Sequence, residues 1–248
     1  MSALIKVEDL SVELPIYGIH GRSLKKALVN MGAGSRLMRH GGNQIRVHAL
    51  NNLSFALNHG DRLAVIGHNG AGKTTLLRVL AGVFEPTVGA VTVEGRTAPL
   101  FDTTLGMDLE ATGHENIRLR GLLLGLHPAD IKARTAEIGD FTELGDYLSM
   151  PVRTYSSGML LRLGFAITTA IQPEVLLMDE WIAAVDADFL IKAEKRIRGI
   201  IDQSSIVVLA SHNHHLLRRM CNKALVLDHG SIRYFGPIEG AEGQHLIT

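Results

Sequence analysis

The feature that most restricts the fold of this chain is a glycine-rich stretch, GHNGAGKTT, at Gly67–Thr75. It follows a short apolar run, RLAVIG, at Arg62–Gly67 and precedes a predicted helix at Lys73–Val83. The stretch fits the pattern G-x-x-x-x-G-K-[ST], which requires a strand, a glycine-rich turn and a helix in direct succession. The glycines let backbone N–H groups curl around phosphate oxygens, and the helix N-terminus adds its dipole. The stretch therefore predicts a phosphate-binding loop (P-loop) within an α/β fold.

Two side chains of this loop have separate predicted roles. We expect Lys73 to reach the β- and γ-phosphates and the Thr74 hydroxyl to bind Mg²⁺. The motif thus predicts a site for a nucleoside triphosphate, ATP, with Mg²⁺. The loop residues assigned to it are Gly67, His68, Asn69, Gly70, Ala71, Gly72, Lys73, Thr74 and Thr75.

A second run, VLLMDE at Val175–Glu180, predicts a buried strand that ends in two carboxylates. Ligands of open α/β sheets bind at the C-terminal ends of the strands. We expect Asp179 to hold Mg²⁺ through water and Glu180 to polarise the attacking water as general base. Together with the P-loop, this run predicts a triphosphate hydrolase.

Strands and helices alternate along the chain, which indicates a mainly parallel sheet with helices on its faces. Strands are expected at Ala3–Leu14, Ala49–Leu57, Arg62–Gly67, Ala90–Glu94, Thr97–Phe101, Glu174–Asp179, Ser205–Ala210, Ala224–Asp228 and Ser231–Phe235. Helices are expected at Lys73–Val83, through most of His114–Leu148, and at Ser157–Ile171, Asp188–Gln203 and His214–Cys221.

Composition limits the class of protein. The chain has 248 residues, of which 46% are hydrophobic, and 25 basic residues balance 25 acidic ones. Nothing in that balance favours nucleic acid as a partner. The N-terminus lacks the features of a signal peptide, and no apolar run approaches the ~18 residues of a membrane span. Any role at a membrane is therefore expected to come through a partner.

Charge is nevertheless uneven. The segment Leu14–Gly60 contains six lysines and arginines and no acidic residue. Its glycines indicate a loop or short helix inserted between two strands. Two interpretations remain open: a solvated loop, or a surface that meets anionic lipid headgroups or a phosphate-bearing ligand.

The stretch YSSGM opens the helix predicted at Ser157–Ile171, where either serine is a suitable N-cap. A Ser-x-Gly turn about 20 residues before an apolar strand that ends in Asp-Glu resembles the signature motif of ABC ATPases, whose commonest form is LSGGQ. Ser157 and Met159 replace the first glycine and the glutamine of that form. The resemblance implies that this turn binds the γ-phosphate held by a second subunit, in a head-to-tail homodimer. The residues concerned are Tyr155, Ser156, Ser157, Gly158 and Met159.

The resemblance extends to two further positions and to the architecture. Asp186 matches the D-loop aspartate, and His212, just after the strand SIVVLA, matches the switch histidine that contacts the γ-phosphate. The fold implied is a single ABC ATPase domain over residues 1–248. Its P-loop NTPase core, with an N-terminal antiparallel β subdomain, covers about residues 4–100 and 172–238, and its helical subdomain about residues 103–171.

Other details are similar to ATPase subunits that export polysaccharides such as O-antigen, capsule and teichoic acid. They are RLGFAI after YSSGM, DEWIAAVDADF at Asp179–Phe189, TGHENI at Thr112–Ile117, and the basic insertion after Tyr17. This resemblance implies a lipid-linked polysaccharide as cargo and two copies of an integral-membrane permease as partner, docked near Thr112–Gly125. It also implies a position on the cytoplasmic face of the inner or plasma membrane. The C-terminal carbohydrate-binding domain of some such exporters is expected to be absent.

The sequence departs from the family at two positions. The Q-loop glutamine is missing, and Asp102 is the nearest replacement as a metal contact, with Asp108 second. The aromatic residue that stacks on adenine appears as His48, which leaves the choice between ATP and GTP open. Alternatives in function are an ABC exporter of another cargo, such as a lipid or drug, and a soluble ABC ATPase. A third alternative, a P-loop kinase, does not explain the presence of the YSSGM stretch.

Overall fold

The computed structural model of the chain describes residues 3–16, 37–40, 44–101, 106–179 and 187–243. The strands in these ranges are β1 Leu4–Ile16, β2 Leu37–His40, β3 Gln44–Asn58, β4 Arg62–Ile66, β5 Val88–Glu94, β6 Thr97–Leu100, β7 Val175–Asp179, β8 Ile206–Ala210, β9 Lys223–Asp228 and β10 Ser231–Pro237. The α-helices are α1 Lys73–Leu80, α2 Gly113–Leu123, α3 Pro128–Thr142, α4 Ser157–Thr169, α5 Ala187–Gln203, α6 His214–Met220 and α7 Ile238–Gly243.

Six strands form a mainly parallel sheet in the order β10-β9-β4-β8-β7-β6, in which β10 runs antiparallel to β9. Successive residues of β4 point to opposite faces, and both faces are buried. Leu63 and Val65 enter one hydrophobic core, whereas Ala64 and Ile66 enter a second core that includes residues of α5, α6 and α7. Burial on both faces explains why this strand is continuously apolar in sequence.

The second sheet is antiparallel, in the order β2-β3-β1-β5. Its fully buried residues, among them Ile5 and Leu53, share one core with Leu77 of α1 and with one face of the six-stranded sheet. Helix α1 therefore packs against both sheets, and this fixes the direction in which its N-terminus points.

The segment from α2 to α4 has a hydrophobic core of its own, which includes Ile117, Ile138 and Leu163. A capping box starts α2, because the Thr112 hydroxyl accepts a bond from the Glu115 N–H and the Glu115 carboxylate accepts one from the Thr112 N–H. The start of α4 lies at the surface of this separately packed helical unit, since Ser156 and Ser157 are exposed.

The structure confirms the predicted mixture of a mainly parallel sheet, an antiparallel sheet and helices. Strand β2, within the basic segment, and helix α7, after β10, were not predicted. Strand β3 begins at Gln44 rather than at Ala49, and α1 ends at Leu80 rather than at Val83. Gly82, at φ 71°, follows the end of α1 in the left-handed region, which explains the early end. Residues 17–36 of the basic segment lie outside the described residues. No helix in the described part of the chain is both long and apolar enough to cross a membrane.

Candidate active site

The P-loop lies between the C-terminal end of β4 and the N-terminus of α1, and close approaches of the backbone require glycine at residues 67 and 72. A Cβ atom on Gly67 would lie 2.5 Å from the Leu227 carbonyl oxygen. Gly72 has φ 114°, and a Cβ there would lie 2.9 Å from the Ala49 carbonyl oxygen. The loop is therefore enclosed by β9 on one side and by β3 on the other.

Lys73 is buried within this loop, with 8% of its surface exposed. Its Nζ donates hydrogen bonds to the carbonyl oxygens of Gly67, at 2.8 Å, and of His68, at 3.3 Å. The ammonium group therefore closes the loop on itself and places a positive charge at its centre. That charge lies where the motif predicts phosphate oxygens.

Thr74 and Asp179 meet at the edge of the loop, although they belong to α1 and β7. The Thr74 hydroxyl donates a hydrogen bond to Asp179 Oδ2 at 2.5 Å. Hydroxyl and carboxylate oxygens are the ligand types that Mg²⁺ uses beside substrate phosphates. The residues present therefore fit the Mg²⁺ ion that the sequence predicts.

His212 lies two residues after the C-terminal end of β8, and its Nε2 is 3.5 Å from Lys73 Nζ. Asn213 begins α6 as its N-cap, with its side chain accepting a bond from the Leu216 N–H. Ser211, which is buried, accepts a bond from the Asn213 N–H. These contacts hold the loop that carries His212 next to the P-loop.

The Ser-Ser-Gly turn stands at the surface of the helical unit. Ser156 is the N-cap of α4 and accepts a bond from the Met159 N–H at 3.2 Å. The side chains of Ser156 and Ser157 are exposed, and a Cβ on Gly158 would have no atom closer than 3.9 Å. No side chain among the described residues therefore covers the exposed face of this turn.

Two residues of the predicted signature set, Tyr155 and Met159, have side chains that pack in the helical core. The Tyr155 ring is buried in the helical core, its hydroxyl donates to the Tyr147 carbonyl oxygen at 2.6 Å, and burial raises its pKa. Met159 packs against the same core. Their side chains therefore anchor the turn, and nucleotide contact by the five residues of the signature set stays a prediction.

His48 lies on β3 immediately before Ala49, whose carbonyl oxygen approaches Gly72. Its Nε2 is 3.4 Å from Glu13 Oε1, and Glu13 also pairs with Arg46 at 3.2 Å. The sequence offered no sign of this acidic neighbour, because strand pairing brings it from β1. Base stacking by His48 stays a prediction.

Three predicted residues, Glu180, Asp186 and Asp102, lie outside the described residues, so their roles stay predictions. Asp108 is described, and its carboxylate accepts a bond from the Glu110 N–H at 2.9 Å in the turn before α2. The sequence also missed the contribution of the turn between β9 and β10. The Gly230 N–H in that turn donates to the Ala71 carbonyl oxygen of the P-loop at 2.9 Å.

The site consists of a strand, a glycine-rich loop and a helix, and four side chains converge on the loop: Lys73, Thr74, Asp179 and His212. This arrangement defines a P-loop nucleoside triphosphatase. The sequence pattern of the ABC transporter family matches residues 50–183. The chain belongs to this family and is an ABC-type ATPase.

Two relatives align along nearly the whole chain. The O-antigen export system ATP-binding protein RfbE of Yersinia enterocolitica is 47% identical over 94% of this chain and 97% of its own length. The O-antigen export system ATP-binding protein RfbB of Klebsiella pneumoniae is 34% identical over 96% of both chains. A solved ATP-binding cassette, a dimer in a post-hydrolysis state bound to ADP and Pi, has a TM-score of 0.67. It is 17% identical over 94% of this chain and 98% of its own, which confirms the fold class.

Proposed function

We propose that this chain is the ATP-hydrolysing subunit of a transporter that exports a lipid-linked polysaccharide of the O-antigen type. The observation that carries the proposal is the 47% identity with RfbE, which extends over 94% of the chain. The P-loop, the β7 terminus and the α4 turn supply the parts that such an ATPase needs. The subunit acts on the cytoplasmic face of the inner or plasma membrane, held there by a permease.

ATP binding and hydrolysis are assigned to the residues around the P-loop. Loop N–H groups and Lys73 bind the phosphates, and His212 orients the γ-phosphate. Mg²⁺, when bound by Thr74 and Asp179, neutralises charge on the phosphate oxygens. Glu180 is assigned as the general base that activates the attacking water, because it directly follows Asp179 in the sequence.

The chain acts as a homodimer in this proposal, because the turn at Ser156 offers phosphate ligands that its own P-loop does not use. Capping of α4 uses an acceptor lone pair of the Ser156 hydroxyl, which leaves its O–H free to donate. The Ser156 hydroxyl and the first N–H groups of α4 then bind the γ-phosphate held by a second copy. The solved cassette with the same fold is itself a dimer.

The permease docks on the exposed side of α2. Leu122 and Leu123 are 43% and 66% exposed, and Leu119 beside them is 38% exposed. Three exposed leucines at helical spacing form an apolar strip of the kind that a partner protein covers. Two copies of the permease, one for each ATPase subunit, complete the transporter.

The experiment is deletion of the gene in its host, with lipid-linked polymer assayed inside the cell and polysaccharide assayed at the surface. We expect the surface polymer to disappear and the lipid-linked form to accumulate. The wild-type gene restores export, whereas Glu180→Gln does not, although the purified variant still binds ATP. Unchanged surface polysaccharide in the deletion strain contradicts the proposed cargo, and near-normal hydrolysis by Glu180→Gln contradicts the assignment of the base.

A further inference from the structure

Three potential metal ligands lie together beside the P-loop. His68 comes from the loop itself, and Asp228 and His229 come from the end of β9 and the turn that follows. The ligand atoms of the three side chains all lie within 4.8 Å of one another. None of the three is assigned to metal binding by the sequence motifs.

The atoms are arranged around one carboxylate oxygen. Asp228 Oδ1 lies 3.4 Å from His68 Nε2 and 3.8 Å from His229 Nε2. Ligands bound at about 2.0–2.1 Å to a tetrahedral Zn²⁺ ion lie roughly 3.3 Å apart. The separation between Asp228 Oδ1 and His68 Nε2 therefore matches a tetrahedral site. The His229 side chain is 60% exposed, and a small rotation of it brings His229 Nε2 within range of the same site.

The tautomer and hydrogen bonding of His68 also suit a metal ligand. Its Nδ1 lies 2.8 Å from the Asn69 carbonyl oxygen, and in that bond the ring nitrogen is the donor. The lone pair is then on Nε2, the ring nitrogen that lies 3.4 Å from Asp228 Oδ1. A hydrogen bond from the second ring nitrogen to a backbone carbonyl is the usual support of a metal-binding histidine.

The two elements that carry the ligands are joined by their backbones. Gly230 donates to the Ala71 carbonyl oxygen at 2.9 Å and accepts a bond from the Asn51 N–H at 2.8 Å. The nearby guanidinium of Arg233 lies 3.7 Å from Asp228 Oδ2 and leaves Oδ1 to face the histidines. The backbones that carry the three side chains are therefore held next to one another.

We propose that His68, Asp228 and His229 form a site for a transition-metal dication such as Zn²⁺, Co²⁺ or Ni²⁺, with water as a fourth ligand. Two imidazoles and one carboxylate favour these ions over Mg²⁺, which prefers oxygen ligands. The bound ion joins the P-loop to the turn between β9 and β10. The site is distinct from the Mg²⁺ position at Thr74 and Asp179.

The test is calorimetric titration of the nucleotide-free protein with Zn²⁺, together with visible absorption of the Co²⁺ form. We expect binding of one ion that depends on these residues and a Co²⁺ spectrum typical of four-coordinate geometry. His229→Asn and His68→Asn should each weaken binding by more than about 10-fold, because each removes a direct ligand. Asparagine tolerates the left-handed conformation of residue 229, at φ 49°, so this variant keeps the turn.

His59→Asn is the matched control, since it removes an exposed histidine outside the cluster. Thermal unfolding without metal checks that each variant is folded. Supporting evidence is a rise in Tm with Zn²⁺ in the wild type and in His59→Asn that is lost in His229→Asn. Zn²⁺ affinity that is the same in the wild type, His229→Asn and His68→Asn overturns the proposal, as does absence of Zn²⁺ binding to the wild type.

Discussion

Nε2 of His212 lies 3.5 Å from Nζ of Lys73, although 139 positions separate the two residues in the chain. The contact places an imidazole next to the ammonium group that the P-loop encloses. A phosphate that binds Lys73 is therefore within reach of His212.

His212→Ala is expected to lower kcat about 100-fold, because it removes one polar group directed at charge that develops on the γ-phosphate. ATP affinity should change little, since Lys73 and the loop N–H groups remain. Phosphate release and equilibrium ATP binding measure the two effects separately. His215→Ala, an exposed histidine on α6, is the control and should retain wild-type kcat. Equal kcat values for the two variants contradict the role of His212.

Lys73→Met is expected to weaken ATP binding by about 10-fold or more, since hydrogen bonds to charged groups contribute about 1.5–3 kcal/mol. The buried ammonium also closes the loop through the Gly67 and His68 carbonyl groups, so the loop itself loses support. Fluorescent ATP binding gives the measurement. Lys6→Met is the control. Lys6 lies at the end of β1 that is remote from the P-loop, so this variant should bind ATP normally. Retained affinity in Lys73→Met is the outcome that contradicts the assignment.

Ser156 has two separable roles, which substitutions can distinguish. Ser156→Ala should lose about 1 kcal/mol of stability, because it removes the N-cap of α4. Ser156→Asp keeps a capping acceptor but repels phosphate, so it should retain stability and lose ATP-dependent dimerisation. Chemical denaturation and light scattering in ATP measure the two properties. Ser157→Ala, one residue after the cap, should retain stability. Normal ATP-dependent dimerisation of Ser156→Asp contradicts phosphate binding by Ser156 and shows that the residue acts only as a helix cap.

Cys221 is expected to react slowly with thiol reagents in the native protein. Burial raises the pKa of its thiol to about 12, so the reactive thiolate is scarce near neutral pH. Labelling with a chromogenic disulfide should be slow in buffer and fast in denaturant. The sequence has a single cysteine, so Cys221→Ala gives the blank. Rapid native labelling contradicts the burial of this side chain.

Stability below neutral pH should depend on Glu115. Hydrogen bonds from the Thr112 N–H and hydroxyl lower the pKa of this carboxyl. A carboxyl whose pKa is lower in the folded state stabilises the fold above its unfolded pKa, and that contribution disappears as pH falls through the folded pKa. Thermal unfolding at a series of pH values is the measurement. As the pH falls, the stability of Glu115→Gln should decrease less than that of the wild type. Glu85→Gln, at an exposed position, should follow the wild type.

Local sequence was sufficient to predict the P-loop, the strand that precedes it and the helix that follows. These features follow from local patterns, namely the spacing of the glycines before Lys73 and the continuous apolar run of β4. The backbone atoms that Gly67 and Gly72 approach belong to Leu227 and Ala49, and the local pattern did not identify them. The start of α4 was also predicted, and the structure identifies Ser156 as its cap. Strand β2 and helix α7 were not predicted, because they are short and have weak patterns of their own.

The relative positions of the functional residues were decided by the order of strands in the sheet. Strand β4 lies between β9 and β8, although it precedes both by more than a hundred residues. The loops that follow β8 and β9 therefore flank the P-loop, and they bring His212 to one side and Asp228 to the other. Spacing in the sequence does not reveal this order, since it arises from parallel pairing between distant strands. The sequence by itself determined that the chain binds phosphate; the tertiary structure decided which side chains surround it.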